Sequence, residues 1–223
     1  MEILYEDNHV IALIKPPGLA TMGLPDGKET LFTQTKAYIK EKYAKPGDVY
    51  LGVVSRLDVP VSGIVIFART SKAATRLNEQ FREHTVEKVY AALVEGAIIP
   101  VEAECVDHLC HDIRHRKVWR TESGEDGTTR GKESRLRYRK LRQIGQCSLI
   151  EIQLETGRKH QIRAQLACRG FPIRGDIKYG AKTSFSNGTA NGIALHAWKL
   201  TFSHPTTKER IELTAPLPKM FER

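Results

Sequence analysis

No run of apolar residues in the 223 positions approaches the length needed to cross a bilayer, and the opening MEILYEDN is acidic and short of apolar side chains. That rules out a membrane-spanning helix and a secretory or transit peptide from the reading, and a cytoplasmic protein is expected. Cysteine is scarce. Cys105, Cys110, Cys147 and Cys168 are too few and too scattered for a disulfide framework, so free thiols are expected. Cys105, His108, Cys110, His111 and His115 lie near one another in sequence, but no second CxxC or HxxxH arm completes a zinc pattern. No metal is therefore expected. There is no Pro- or Gly-rich linker, no shift of composition, no internal repeat and no low-complexity segment, so a single domain over residues 1–223, large enough for a substantial core, is expected. Acidic residues are the minority charge: 26 Asp and Glu against 35 Lys and Arg leave a formal charge of +9. Such a balance favours a polyanionic partner, nucleic acid or an anionic membrane surface, without choosing between them.

The basic residues gather in three places: Arg114, His115, Arg116, Lys117 and Arg120; Lys132 to Arg142; and Arg158, Lys159, Arg163 and Arg169. Ahead of them the chain alternates strand and helix signals. VIALIK reads as a buried strand stopped by Lys15-Pro16-Pro17-Gly18. A helix is predicted from Thr30 to Tyr43, and another from a Thr70 or Ser71 cap to His84 with Ala74, Leu77 and Phe81 on its apolar side. Strands are predicted over 50–58, 63–68 and 87–96, with Lys88, Tyr90 and Ala92 sharing a face of the last. SRLRYRKL and CSLIEIQLET read as a hairpin with one basic face. Runs of strands with occasional helices give an α+β class with a largely antiparallel sheet.

Two arginines and a carboxylate stand out. In VVSRLDVPVSGIVIFA a strand would set Arg56 and Asp58 on one surface, with Asp58 bordered by apolar residues. In TGRKHQIRAQLACRG a helix from Thr156-Gly157 to Gly170 would put Arg163 on the same side as His160, Leu166 and Ala167. A guanidinium on an apolar face must find an acceptor, and Asp58 is the candidate partner. The pair is either a structural link or a piece of chemistry. His196 and His204, set among apolar residues, read as satisfied core histidines.

The segment SRLDVPVSGIVIFA resembles the catalytic motif of the RluA-type RNA pseudouridine synthases, and KPPGL, EKVYAALVEG, TGRKHQIRAQL, GDIKYG and ALHAWKLTFSHP resemble the family's other blocks in the family's order. The resemblance covers nearly the whole chain. It implies an intramolecular isomerase converting uridine to pseudouridine in structured ribosomal or transfer RNA, with no metal or organic cofactor. It implies a mainly antiparallel, bifurcated sheet flanked by helices, and a monomer that begins directly at the catalytic domain without the small N-terminal RNA-binding module of some relatives. Asp58 matches the catalytic aspartate, Tyr90 the tyrosine beside it and Arg163 the arginine that pairs with the aspartate. Arg56 matches the arginine that enters the RNA when the target base is displaced. Lys15, Arg158, Lys159 and Lys178 are the candidate phosphate contacts. Ser55 stands where the family usually has histidine, and Lys159 where threonine or serine is common. A catalytically silent RNA-binding protein on the same fold is the alternative, and an unrelated basic nucleic-acid module the third reading. The second has no need of Asp58, Tyr90 and Arg163 together, and the third leaves the RLD and GRKHQIR blocks unexplained.

Overall fold

A continuous apolar run such as VIALI or IVIFA suits a strand only when both faces are covered, and that is how the chain uses them. The computed structural model describes all residues except 24–27, 113, 116, 122–130, 183, 185–191 and 223; Arg116 of the first basic cluster thus lies outside the described residues. The chain runs through β1 (Glu2–Glu6), β2 (Val10–Lys15), α1 (Leu31–Lys42), β3 (Gly52–Val53), β4 (Ser62–Ala68) and α2 (Ser71–Arg82). It continues with β5 (Glu87–Glu95), β6 (Glu102–Asp112), β7 (Lys117–Thr121), β8 (Lys132–Ile144), β9 (Cys147–Leu154) and α3 (Gln161–Ala167). Strands β10 (Leu195–Ser203) and β11 (Arg210–Thr214) follow. Two compact units result: Met1–Glu87 with Ala197–Pro216, and Lys88–His196 with Leu217–Arg223. Among the described residues no helix is long and apolar enough to cross a membrane.

In the first unit the strand order is β1-β2-β4-β10-β11, with the short β3 also on β4. Strands β2 and β4 pair antiparallel, Val10 opposite Ala68 and Lys15 opposite Gly63. Ile11, Leu13, Val65 and Phe67 pack beneath Leu31 and Ile39 of α1. Their neighbours Val10, Ala12, Ile64 and Ile66 turn the other way, onto Ala73, Ala74 and Leu77 of α2. Each such aliphatic side chain, fully withdrawn from water, contributes about 1.5–3 kcal/mol. Both helices begin where the sequence places their caps. Thr30 and Thr33 form a reciprocal capping box, and the Thr70 hydroxyl accepts the Ala73 N–H.

The second unit is an antiparallel sheet in the order β5-β9-β8-β6-β7. The alternation in SRLRYRKL holds: Ser134, Leu136 and Tyr138 are buried while Arg135, Arg137 and Arg139 face outward or sit partly exposed. That outer row is not bare. Arg135 bonds Glu133 at 2.9 Å, Arg137 meets Glu155 at 3.2 Å and Arg139 meets Glu151 at 3.1 Å. The expected basic face is therefore interleaved with glutamates from its own and the adjacent strand. On the inner face Ala164 of α3 packs with Leu109, Val118 and Tyr179.

Gly63 is the residue on which the entry into β4 turns. Its φ is +116°, and a Cβ placed there would lie 2.3 Å from the Ala197 carbonyl oxygen and 2.5 Å from the Ala197 nitrogen. Backbone cannot yield as a side-chain tip can. Gly63→Ala is expected to cost roughly 3 kcal/mol or more, read as a lower urea midpoint, because strain and overpacking act together.

Candidate active site

The segment 54–60, expected to continue the strand from residue 50, is irregular instead: β3 ends at Val53. The reason is a substitution of side chain for backbone. The Ser55 hydroxyl oxygen accepts the Ile66 N–H at 3.0 Å, taking up a β4 donor that a longer β3 would have used. Beyond it the loop is held by the turn after β2. Thr21 Oγ1 accepts the Leu57 N–H and donates to the Leu57 carbonyl, both at 3.1 Å, and the Gly18 N–H donates to the Val59 carbonyl at 2.8 Å. Asp58 lies at the centre of this loop, half-buried, its carbonyl accepting the Val61 N–H at 3.0 Å. Arg56 is exposed, and its guanidinium has no hydrogen-bond or ion-pair partner among the described residues.

Lys15 does not fit its expected part. It is fully buried, and its ammonium donates to the carbonyls of Pro16 at 2.9 Å, Leu19 at 2.7 Å and Val59 at 3.1 Å. Three donors meet three acceptors, so none is left for a phosphate. Lys15 is a strut between the KPPGL turn and the Asp58 loop. Burial pushes its pKa down to about 8, with the Asp58 carboxylate pulling the other way.

In the second unit, Arg163 is buried on α3 and forks onto Asp176, Nε to Oδ2 at 2.7 Å and Nη2 to Oδ1 at 2.9 Å. The Tyr179 ring lies 4.9 Å from the guanidinium carbon. The Tyr179 hydroxyl accepts the Val118 N–H at 2.9 Å and lies 2.9 Å from His160 Nδ1. Helix α3 is shorter than predicted. It starts at Gln161 because His160 takes a left-handed conformation, φ +51°, and the Gln161 side-chain oxygen accepts the Arg158 N–H at 3.0 Å. Tyr90 is half-buried on β5, opposite Ile152. Arg158, Lys159 and Lys178 are exposed; Arg158 Nε donates to the Glu133 carbonyl at 3.3 Å, and Lys159 Nζ lies 3.0 Å from His111 Nε2. Asp58, Lys15 and Arg56 thus belong to the first unit, and Tyr90, Arg163, Arg158, Lys159 and Lys178 to the second.

Sequence reasoning missed Asp176 and Tyr179. The signal was present in GDIKYG: a buried arginine needs a carboxylate, and Asp176 follows Arg163 by 13 residues. Strand alternation separates the cysteine and histidine residues of β6, sending Cys105 and His111 to one face and His108 and Cys110 to the other. His204 is buried and satisfied as expected, with Nε2 2.7 Å from Asp7 Oδ2 and Nδ1 accepting the Thr206 and Thr207 N–H groups.

The fold is that of the pseudouridine synthases. The chain aligns over 99% of its length with 90% of human RNA Pseudouridylate Synthase Domain Containing 4, at a TM-score of 0.79 and 23% identity. Human RNA Pseudouridylate Synthase Domain Containing 1 aligns at 0.75 and 24% identity, over 96% of this chain and 82% of that one. A family model described as RNA pseudouridylate synthase matches residues 9–168. The uncharacterized RNA pseudouridine synthase YlyB of Bacillus subtilis is 33% identical over 220 residues, covering 98% of this chain and 70% of its own. The Ribosomal large subunit pseudouridine synthase D of Xanthomonas campestris is 32% identical over 243 residues, covering 100% of this chain and 68% of its own. The chain belongs to the RNA pseudouridylate synthase family and is an enzyme of that class.

Replacing Lys15 tests the strut. Lys15→Met leaves the Pro16 and Leu19 carbonyls without this donor, and Val59 with the Gly18 N–H alone, and is expected to cost roughly 3 kcal/mol, while the salt slope of RNA binding stays at its wild-type value. The stability gap also depends on pH. Burial holds folded Lys15 near 8, below the ordinary 10.5, so the unfolded chain binds more protons between those values and rising pH favours the fold. Urea unfolding from pH 8 to 10.5 should show wild type gaining stability relative to Lys15→Met.

Proposed function

We propose that Asp58, Tyr90 and Arg163 carry out the isomerisation of specific uridines in structured RNA, without a cofactor. The observation that carries this reading is the Asp58 loop, whose backbone Lys15 ties down at Val59 and Thr21 at Leu57 with Asp58 half-buried between them, in a member of this family. The glycosidic bond between N1 and C1′ breaks, its electron pair leaving with N1. The uracil then rotates, C5 bonds C1′, the C5 proton departs and N1 takes up a proton from solvent. Atoms and electrons balance with no co-reactant. Asp58 enters either as a nucleophile at C1′ or as the base that takes the C2′ proton; both routes need an ionised carboxylate. The part of the Arg163 guanidinium not taken by Asp176 is assigned to that carboxylate as its counter-charge. Tyr90 offers a ring to stack on uracil and a phenol oxygen to relay the C5 proton.

The target base must leave its stack to reach Asp58, which costs a few kcal/mol, and the exposed, unpartnered Arg56 is assigned the space it vacates. Exposed Arg158, Lys159 and Lys178 are assigned to backbone phosphates. Ribosomal RNA is the favoured substrate over transfer RNA, because relatives that cover this chain nearly end to end carry the names Ribosomal large subunit pseudouridine synthase C and D. Asp58→Asn should abolish tritium release from C5-labelled uridine RNA while RNA affinity stays within about tenfold of wild type, since catalysis is lost and the phosphate contacts are not. Near-wild-type release by the variant would remove Asp58 from its assigned role.

A further inference from the structure

Among the described residues, Lys88 is the one buried cation whose surroundings the structure leaves unexplained. It is only 9% exposed, and among the described residues its ammonium has a single partner, the Glu155 carbonyl at 3.4 Å. Lys15 and Arg163, buried more deeply still, meet three carbonyls and a forked carboxylate. The nearest acidic residue along that turn does not help: the Glu155 carboxylate is engaged by Arg137 at 3.2 Å. Burial lowers the Lys88 pKa, and no carboxylate among the described residues opposes it. A desolvated ammonium with one long hydrogen bond costs several kcal/mol unless something supplies oxygen to its remaining N–H groups.

Position says what supplies it. Lys88 and Tyr90 are two apart on β5, so their side chains leave the same face of the strand. Lys88 also touches Glu155, in the turn that leads to Arg158, Lys159 and α3. We propose that Lys88 is a substrate-binding residue whose ammonium takes an anionic oxygen of the target nucleotide, beside the uracil that Tyr90 stacks upon. This rests on the reading of Tyr90 and Asp58 above. Two oxygens share that chemistry. One is a phosphate oxygen, charged throughout. The other is a uracil carbonyl oxygen, which gains charge when the N1–C1′ pair departs with the base.

The test compares wild type with Lys88→Met and Lys88→Gln, in full-length protein, by single-turnover tritium release on C5-labelled RNA, RNA binding at several salt concentrations and thermal melting. Removing a buried charge that the fold leaves unpaired should hold or raise the melting temperature, whereas single-turnover efficiency should fall roughly 10- to 100-fold, the worth of a hydrogen bond to a charged group. Lys88→Gln, which keeps a donor but no charge, should fall between. A phosphate partner shows as a raised half-saturating RNA concentration and a log–log salt slope shallower by about one. A uracil partner shows as a lower rate at saturating RNA with the slope unchanged. Unaltered rate and slope in both variants, or melting temperatures lowered in step with activity, would overturn the inference and leave Lys88 as packing. A wild-type protein that releases no tritium would instead remove the reading of the whole site, and this inference with it.

Discussion

A positive charge withdrawn from water must be surrounded by oxygen, and the parts of this chain that bear on its chemistry are arranged around that requirement. Lys15 meets it with carbonyls from both sides of the KPPGL turn and from the loop that carries Asp58, so one ammonium fixes the two segments against each other. Arg163 meets it with both oxygens of Asp176 and the face of Tyr179. In each case the cation is the fixed point and the loop is shaped to serve it. A neutral side chain of similar volume would satisfy the packing and leave Pro16, Leu19 and Val59 without a reason to converge.

The same accounting redistributes the net charge. The richest run of arginine, along β8, is spread through a lattice with Glu104, Glu133, Glu151 and Glu155, and exposed pairs of this kind add little stability while cancelling the field. What remains unneutralised lies elsewhere. Arg56 projects from the Asp58 loop with no ion pair among the described residues, and Lys159 has a histidine rather than a carboxylate beside it.

Local signals were legible and long-range ones were not. Thr30 and Thr70 announce their helices because a cap acts within three residues. The alternation of β8 announces which arginines face out, because a strand enforces it. VVSRLDV carries the same alternation and yet is no strand beyond Val53, because the Ser55 hydroxyl occupies Ile66 and Thr21 clips Leu57 from 36 residues away. KPPG reads as the stop of a buried strand, and nothing local says that its lysine points inward onto Val59. The need of Arg163 for a carboxylate was legible from its apolar neighbours. That Asp176 supplies one depends on the tight turn through Ile177–Tyr179, which ends at Gly180 with φ +95°.

The central claim is that this chain makes pseudouridine in cellular RNA and that the Asp58 carboxylate does so. Pseudouridine mapping across total RNA, in a strain lacking the gene and in the same strain complemented with wild type or with Asp58→Asn, tests it directly. The account predicts that at least one uridine, in ribosomal RNA, loses its modification on deletion, regains it with wild type and stays unmodified with the variant. A map unchanged by deletion, or restored equally by both proteins, would contradict it.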